Sequence, residues 1–419
     1  MSASEAARQL KVRLPTLYAY VSRGLLQSER AAGSRNKRYR RSDVEKLVKR
    51  QATLRSPKGA VQASLHWGLP VLQSALTTIK DGHLYYQGRN AIALSETDSL
   101  EEVAANFWCC EAQELLQLQV SEPSVEQLRK LKLSGENPSP QRSLNAFMSL
   151  VTQEYPFAQT SKSLALQGAQ LLHLMRAATT LLSCPSALAH QPMHLQLQRV
   201  WKLSQAQGEL IRRALVLCAD HELNVSSFTT RCVASSGARL DACVIAGLAA
   251  LTGARHGGIT AIIEDHWERW MSLPSVTMSS RSRVLEFLEQ PEDGPAPLGL
   301  GFGHPLYPLG DPRAKAILSC LPADSQQARL EAQVYSASGL FPSLDFALVA
   351  LRRHLALPLG AAFALFAIGR VVGWIAHAIE QKKQGNLIRP RADYVGPIPG
   401  EAFATTDRDP AQRRIVRFR

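Results

Sequence analysis

The sequence predicts a mainly α-helical protein with one short β-ribbon and a small, basic helix-turn-helix module at its N-terminus. Beyond Ser95, apolar residues recur at helical spacing through most of the chain. Ahead of that point, Asp81-Gly82 separates two runs of strand-forming residues, which is typical of a hairpin. The net charge is +13, and residues 1–56 carry +10 of it. With 419 residues, the chain is long enough for two or three domains.

The N-terminal module, residues 1–55, is predicted to be a winged helix-turn-helix. Ser4 is the expected cap of its first helix. The predicted elements are a first helix, a second helix, a basic wing and a final helix, at Glu5–Leu10, Leu14–Ser22, Arg30–Arg41 and Asp43–Arg50.

The charge of this module indicates an acidic partner, and double-stranded DNA is the leading candidate. Lysine and arginine contacts to phosphates would supply salt-dependent affinity, whereas only a few side chains would read bases. A basic surface that makes protein contacts is the alternative. A module of this size normally binds DNA usefully as a dimer. The residues expected to contact DNA are Arg13, Thr16, Tyr18, Tyr20, Arg23, Arg35, Lys37, Arg38 and Arg40.

A linker over residues 56–66 is predicted to join this module to the helical body. The body opens with a β-ribbon between Leu72 and Leu94. The helices predicted next are Thr97–Trp108, Ser121–Leu131 and, approximately, 141–153, 163–183, 196–203 and 207–220.

Composition excludes several classes of protein. The seven cysteines include no C-x-x-C pair, so neither a disulfide framework nor a zinc site is expected, and a cytoplasmic location fits best. The N-terminus has no apolar segment typical of a signal peptide. The most apolar run, Leu355 to Gly369, contains Pro358 and is shorter than the roughly 20 residues of a membrane span, so a buried core helix is expected.

Polar residues that can carry chemistry lie at predicted helix ends or beside glycines. In the loop that ends at Arg313, Asp311 is a good helix cap and Pro312 suits the first helical position. An arginine in that first turn favours a bound carboxylate or phosphate. Taken singly, each such residue also has a structural explanation as a cap or a paired core charge. The complete set is His221, His256, His304, Arg313, Asp345, Arg370 and Arg389.

Together, in this order and spacing, these residues resemble the citrate synthase superfamily. The segments that carry the resemblance are DHELN (220–224), HGG (256–258), GFGHPLYPLGDPR (301–313) and GRVVGWIAH (369–377). The resemblance covers about Trp67 to Pro397. It implies a mainly α, two-domain all-helical fold with a short β-ribbon, in which residues 67–256 and 351–419 form a large domain and 257–350 a small one. It also implies a homodimer with the active site in the interdomain cleft.

The N-terminal module resembles the MerR-like helix-turn-helix. Glu5-Ala6-Ala7, Thr16-Leu17-Tyr18 and Arg23-Gly24-Leu25-Leu26 carry this resemblance, together with Tyr39-Arg40 followed by Asp43-Val44. In that family the second helix enters the major groove.

The citrate synthase resemblance implies condensation of acetyl-CoA or propionyl-CoA with oxaloacetate, giving citrate or 2-methylcitrate and CoA. Asp345 would be the base for the methyl proton, His256 would stabilise the enolate, and His304 would polarise the keto oxygen. The dicarboxylate would be held by His221, Arg313 and Arg370, with Arg389 from the other subunit. The CoA thioester is a substrate here, and neither a cofactor nor a metal is implied.

One departure from the family concerns the residues after His304. Many members have a basic residue there, whereas Pro305, Leu306 and Pro308 occupy this run. The usual contacts to CoA phosphates are therefore not predicted at this loop, and Arg255 or Lys382 and Lys383 are the alternatives. A second function is possible, in which the body senses a metabolite for a DNA-binding regulator. The complete set of polar residues favours the enzyme.

Overall fold

The computed structural model describes most of the chain beyond residue 71 and part of the N-terminal module. The described residues are 2–10, 12, 14, 16–17, 28–30, 37–39, 44, 72–118, 122–133, 138–154, 163–185, 188–271, 300–323, 325–390 and 392. The predicted linker and six of the predicted DNA contacts lie outside them, namely Arg13, Tyr18, Tyr20, Arg23, Arg35 and Arg40.

The described elements confirm a mainly α-helical fold with little strand. The strands are β1 (Ser28–Arg30), β2 (Lys37–Tyr39), β3 (Thr77–Lys80), β4 (His83–Tyr86) and β5 (Arg89–Asn90). The first helices are α1 (Ala3–Leu10), α2 (Ala91–Thr97), α3 (Leu100–Trp108), α4 (Ala112–Leu116), α5 (Val125–Leu133), α6 (Pro140–Glu154), α7 (Leu164–Thr180) and α8 (Met193–Val200). The remaining helices are α9 (Gln205–Cys218), α10 (Val225–Ser235), α11 (Leu240–Leu251), α12 (Ile259–Met271), α13 (Pro312–Leu318), α14 (Gln326–Ser338), α15 (Leu344–His354) and α16 (Ala361–Gln384).

In the N-terminal module, α1 begins two residues earlier than predicted. Ser2, rather than Ser4, caps it, because the Glu5 N–H donates to Ser2 Oγ and the Ser2 N–H donates to Glu5 Oε2. Strands β1 and β2 pair antiparallel, as expected of a wing. The module has a small core of its own, formed by Ala6, Ala7, Leu10, Leu17, Tyr39 and Val44. Thr16 and Arg38 are exposed, as a DNA contact requires.

The ribbon contains the predicted hairpin but is shorter than predicted. Strands β3 and β4 pair antiparallel across Asp81 and Gly82, which both have positive φ, as a two-residue hairpin turn needs. The third strand ends at Asn90, whose side chain accepts the N–H groups of Ile92 and Ala93 and so starts α2.

The helix predicted from Thr97 to Trp108 is wrong at its start. Helix α2 ends at Thr97, and α3 begins only at Leu100. Ser99 and Glu102 form a reciprocal capping box, which satisfies backbone donors that a continuous helix would have bonded internally.

Helix α16 lies at the centre of the body. By length and apolar composition it could cross a membrane, but its most apolar 18-residue window is 100% buried inside the protein. It is the predicted core helix, although it starts after Pro358 and continues to Gln384. Gly369 and Gly373 allow the end of α9 to approach, because a Cβ at these positions would lie 2.6 Å from Leu215 O and 2.4 Å from Ala219 O, respectively.

Candidate active site

The turn after α9 places His221 beside the central helix. Asn224 ends this turn and caps α10 by accepting the N–H groups of Ser226 and Ser227. The Gly373 N–H donates to Ala219 O at 3.0 Å, which ties the turn to α16. The buried His377 of α16 lies with its Nε2 3.3 Å from Asp220 Oδ2. The DHELN and GRVVGWIAH segments are therefore in direct contact.

His221 and His304 meet in an aromatic cluster with Tyr307. The ring centroids of the two histidines are 5.1 Å apart, and those of His304 and Tyr307 are 4.9 Å apart. Tyr307 Oη lies 2.9 Å from His221 Nε2. The Leu306 N–H donates to His304 Nδ1 at 3.2 Å. The His304 proton therefore lies on Nε2, and this nitrogen can donate a hydrogen bond.

Arg313 is buried in the first turn of α13. Asp311 caps this helix and also accepts two hydrogen bonds from the guanidinium, at 3.0 Å from Nε and 2.7 Å from Nη2. The guanidinium carbon lies 5.6 Å from the centre of the Tyr307 ring. The predicted cap at Asp311 and the first-turn arginine are both confirmed.

Asp345 lies in the first turn of α15, where Ser343, and not the aspartate, is the N-cap residue. Its Oδ1 is buried, and no group in the described part of the chain donates to it. Burial raises the pKa of this carboxyl to about 6, although Arg313 opposes the shift. A partly buried carboxylate with an unused oxygen is a suitable proton acceptor.

Arg370 is almost fully buried in α16 and faces the same region. Its Nε donates to Cys218 O at 2.8 Å, whereas its Nη2 has no hydrogen-bond partner among the described residues. Its guanidinium carbon lies 4.9 Å from the centre of the Phe366 ring. His256 also lies against that ring, with the centroids 5.7 Å apart.

His256 lies in the tight turn between α11 and α12. Gly258 permits this turn, because a Cβ there would lie 2.1 Å from Thr252 O. Ser226 Oγ is 2.8 Å from His256 Nε2 and also accepts the indole N–H of Trp374 at 3.0 Å. Ser226 therefore links His256 to both α10 and α16.

All three histidines are neutral at neutral pH. Burial lowers the pKa of His256 to about 3 and that of His304 to about 4, with Arg370 and Arg313, respectively, adding to the shift. Burial lowers the pKa of His221 well below its usual range, and Arg313, His304 and Arg370 lower it further. The site thus offers neutral imidazoles beside two permanent positive charges.

Six of the seven predicted residues surround one site, and Arg389 does not reach it within a single chain. Arg389 is exposed beyond the end of α16, next to Ile388, whose N–H donates to Ser235 Oγ. Sequence reasoning missed Tyr307, Ser226 and Asp220. All three lie in or beside the segments that carry the resemblance, but nothing in the sequence shows where their side chains point.

A family model described as "Citrate synthase, C-terminal domain" matches residues 64–391. The chain belongs to the citrate synthase family. The family assignment makes it a citrate synthase-type enzyme, a transferase. A second model, "MerR HTH family regulatory protein", matches residues 1–56 and supports the predicted helix-turn-helix.

The relatives of this citrate synthase family member include proteins named citrate synthase and one named 2-methylcitrate synthase. This chain is 29% identical to Citrate synthase 2 of Bacillus subtilis, over 79% of this chain and 95% of that protein. It is also 29% identical to the 2-methylcitrate synthase of Shewanella oneidensis over 64% of this chain and 67% of that protein.

Solved citrate synthase structures share the fold. The crystal structure of the Thermotoga maritima enzyme gives a TM-score of 0.63 at 23% identity, over 82% of this chain and 98% of that one. The ternary complex of the Thermoplasma acidophilum enzyme with carboxymethyl coenzyme A and oxaloacetate gives the same score and identity, over 79% and 95%.

Proposed function

We propose that this enzyme condenses a short acyl-CoA with oxaloacetate and hydrolyses the resulting thioester, releasing citrate or 2-methylcitrate and CoA. The observation that carries the proposal is the buried, unpartnered Oδ1 of Asp345 in a site that also holds three neutral histidines and two arginines. Binding a dicarboxylate alone requires no such base. The names of the relatives, and the oxaloacetate complex of the Thermoplasma acidophilum enzyme, agree with these substrates.

In the first step, Asp345 takes a proton from the carbon next to the thioester carbonyl, and the developing enolate needs a hydrogen-bond donor. We assign this role to His256. The Ser226 hydroxyl has two acceptors for its one proton, because its oxygen lies 2.7 Å from Asn224 Oδ1 and 2.8 Å from His256 Nε2. When the hydroxyl donates to His256, the ring proton lies on Nδ1, and Nδ1–H is then the donor to the thioester oxygen.

In the second step, the enolate carbon attacks the keto carbon of oxaloacetate. His304 Nε2–H would donate to the keto oxygen as negative charge develops there. The buried Nη2 of Arg370 and the guanidinium of Arg313 would bind the carboxylates, with His221 as a further contact. A small domain over 257–350 that closes on the larger one would exclude water during this step.

Turnover can be tested with purified full-length protein. Release of free CoA from acetyl-CoA or propionyl-CoA in the presence of oxaloacetate is the expected activity, and the ratio of the two kcat/KM values identifies the preferred thioester. Asp345→Ala should abolish the release. Asp265→Ala, which removes another carboxylate on α12 outside the site, should not. Absence of turnover with any short acyl-CoA would contradict the proposal.

We also propose that the N-terminal module binds double-stranded DNA. The match to the MerR family and the +10 charge of residues 1–56 support this, as do the exposed side chains of Thr16 and Arg38. A metabolite-sensing DNA-binding regulator with a citrate synthase-like ligand domain is the second candidate function. It differs from the first in requiring that oxaloacetate change DNA affinity.

The DNA proposal is tested with the full chain on random duplex DNA at several salt concentrations. Affinity should fall as salt rises. Lys37→Glu with Arg38→Glu should weaken binding, whereas Arg129→Glu with Lys130→Glu, an exposed basic pair on α5, makes the same charge change elsewhere. No binding at low salt would contradict DNA binding, and no effect of oxaloacetate would contradict the sensor.

We propose a homodimer in which Arg389 completes the partner's dicarboxylate site, since Arg389 is exposed and does not reach the site of its own chain. We propose a cytoplasmic location, as expected from cysteine usage.

A further inference from the structure

Tyr307 lies in the middle of the site, but the proposed function gives it no role. It is buried, with 3% of its surface exposed, and it contacts His221 and Arg313, which are assigned to the carboxylates, as well as His304, which is assigned to the keto oxygen. Its ring lies beside His304 and under the guanidinium of Arg313. Its hydroxyl oxygen is 2.9 Å from His221 Nε2.

The hydrogen bond between Tyr307 and His221 has a definite direction. Burial raises the pKa of the Tyr307 phenol, so the phenol keeps its proton at neutral pH. The His221 ring is the hydrogen-bond partner of this hydroxyl within the described part of the chain. A buried phenol proton without an acceptor would be unfavourable, and the lone pair of a neutral imidazole is a good acceptor. The phenol therefore donates, and His221 Nε2 accepts.

We infer that Tyr307 is a positioning residue that fixes the tautomer and the ring orientation of His221. With Nε2 occupied as an acceptor, the single proton of the neutral ring lies on Nδ1. The Nδ1–H group is then the only ring group of His221 that can donate a hydrogen bond to a bound carboxylate.

The part of this inference that concerns the dicarboxylate rests on the proposed function, but the tautomer does not. The ring nitrogens of His221 can be observed by ¹⁵N NMR in the ligand-free, full-length protein. In the wild type, Nε2 should have the shift of an unprotonated, hydrogen-bonded nitrogen and Nδ1 that of a protonated one. Protonation of Nε2 in the wild type would overturn the inference whether or not any variant folds.

The substitution Tyr307→Phe keeps the ring and removes only the hydroxyl. The two His221 tautomers should then mix, and the Kd for oxaloacetate should rise about five- to tenfold, as expected for the loss of one hydrogen bond. KM for oxaloacetate should rise similarly, with kcat changed by less than about threefold. Unchanged His221 signals together with an unchanged Kd would overturn the inference.

Tyr86→Phe is the matched control, because it also removes a buried hydroxyl at this turn. Tyr86 Oη donates to Val216 O at 3.0 Å and contacts Asp220 O at 3.2 Å, both of which are backbone oxygens. It should lower stability and leave the His221 tautomer unchanged. If both variants shift the His221 signals alike, Tyr307 only tethers the turn and the inference is wrong. Absent thioester turnover would contradict the proposed function alone, since the NMR and Kd measurements need no acyl-CoA.

Discussion

Two aspartates in the site have opposite roles, and burial together with pairing explains the difference. Asp311 is bound by Arg313 through two hydrogen bonds, whereas Asp345 Oδ1 has no partner among the described residues. The other oxygen, Oδ2, accepts a long hydrogen bond from the Ser343 hydroxyl, at 3.5 Å. A buried carboxylate with so few donors lowers the stability of the fold but remains available to accept a proton. The residue that makes the site reactive is therefore also a source of instability.

Asp345→Asn should lower turnover strongly and stabilise the protein. General-base catalysis contributes about 10²- to 10⁴-fold, so a loss of this size in kcat is expected. The pKa of Asp345 is raised from 3.8 to about 6 on folding. The folded state thus binds the proton more tightly, and ionisation of Asp345 destabilises it as pH rises through this interval. Removing the charge should add about 1–3 kcal/mol to the free energy of unfolding at pH 8, but only about 0.5 kcal/mol at pH 4.

Urea denaturation at the two pH values measures this gain. Asp311→Asn is the matched control, because it should destabilise the protein by about 3 kcal/mol through loss of a buried ion pair. Destabilisation by both substitutions at pH 8 would mean that Asp345 is paired in solution.

The pH dependence of the reaction should show one acidic limb. The base must be ionised, so kcat/KM should fall about tenfold per pH unit below about pH 6. His256 and His304, with pKa values of about 3 and 4, stay neutral over this range and add no further limb above pH 5. Steady-state kinetics from pH 5 to 8 give the profile. A flat profile down to pH 5 would exclude Asp345 as the base.

At the level of elements, the glycines of α16 bring the catalytic turn close to the core helix. Gly373→Ala would place a Cβ 2.4 Å from Ala219 O and 2.6 Å from Asp220 Oδ1. In a solvent-exposed helix, Gly→Ala would stabilise the protein by about 1 kcal/mol. Here we expect it to destabilise the protein by about 1–3 kcal/mol, because the new methyl group has no room. Turnover should also fall, since His221 and Arg370 are positioned by this contact. The measurements are thermal unfolding and CoA release.

Gly253→Ala provides a comparison for Gly373→Ala. Its Cβ would lie 3.4 Å from Ala250 O, close to an ordinary van der Waals contact. Its effect on stability should stay within about 0.5 kcal/mol. Equal effects of the two substitutions would mean that close approach is not the reason for glycine in α16.

The sequence predicted the helical elements well where periodicity and capping residues agree. Asp311, Pro312 and the Asp81-Gly82 turn are as predicted, because these residues act through their own backbone. The helix predicted over 97–108 is wrong at its start, because Ser99 caps a new helix that begins at Leu100. The spacing of apolar residues gives no information about such a cap. Tyr307 and Ser226 were missed for a different reason: their roles depend on side chains that lie 86 and 30 residues away, respectively, in the chain.

At the scale of the whole molecule, a shared site predicts complementation between two inactive chains. Arg389→Ala and Asp345→Ala should each abolish turnover if Arg389 serves the partner's site. After the two variants are mixed, unfolded and refolded together, about a quarter of the wild-type activity should return, because half of the dimers are mixed and each has one intact site. CoA release measures this recovery.

The complementation experiment also has a control. Mixing Asp345→Ala with His256→Ala should restore nothing, because both residues come from the same chain. Recovery in that mixture, or none in the first, would contradict the shared site.

The central position of α16 also has a consequence for the order of synthesis. This helix begins at residue 361, so the ribosome makes it after the helices that pack on it. Trp108, for example, donates its indole N–H to Val372 O, 264 residues further along the chain. Until then, the apolar surfaces of α3, α7 and α9 that α16 covers stay exposed, which favours association between nascent chains. Assembly of the body should therefore wait for the synthesis of α16, and its yield in cells should depend on chaperones that bind the incomplete core.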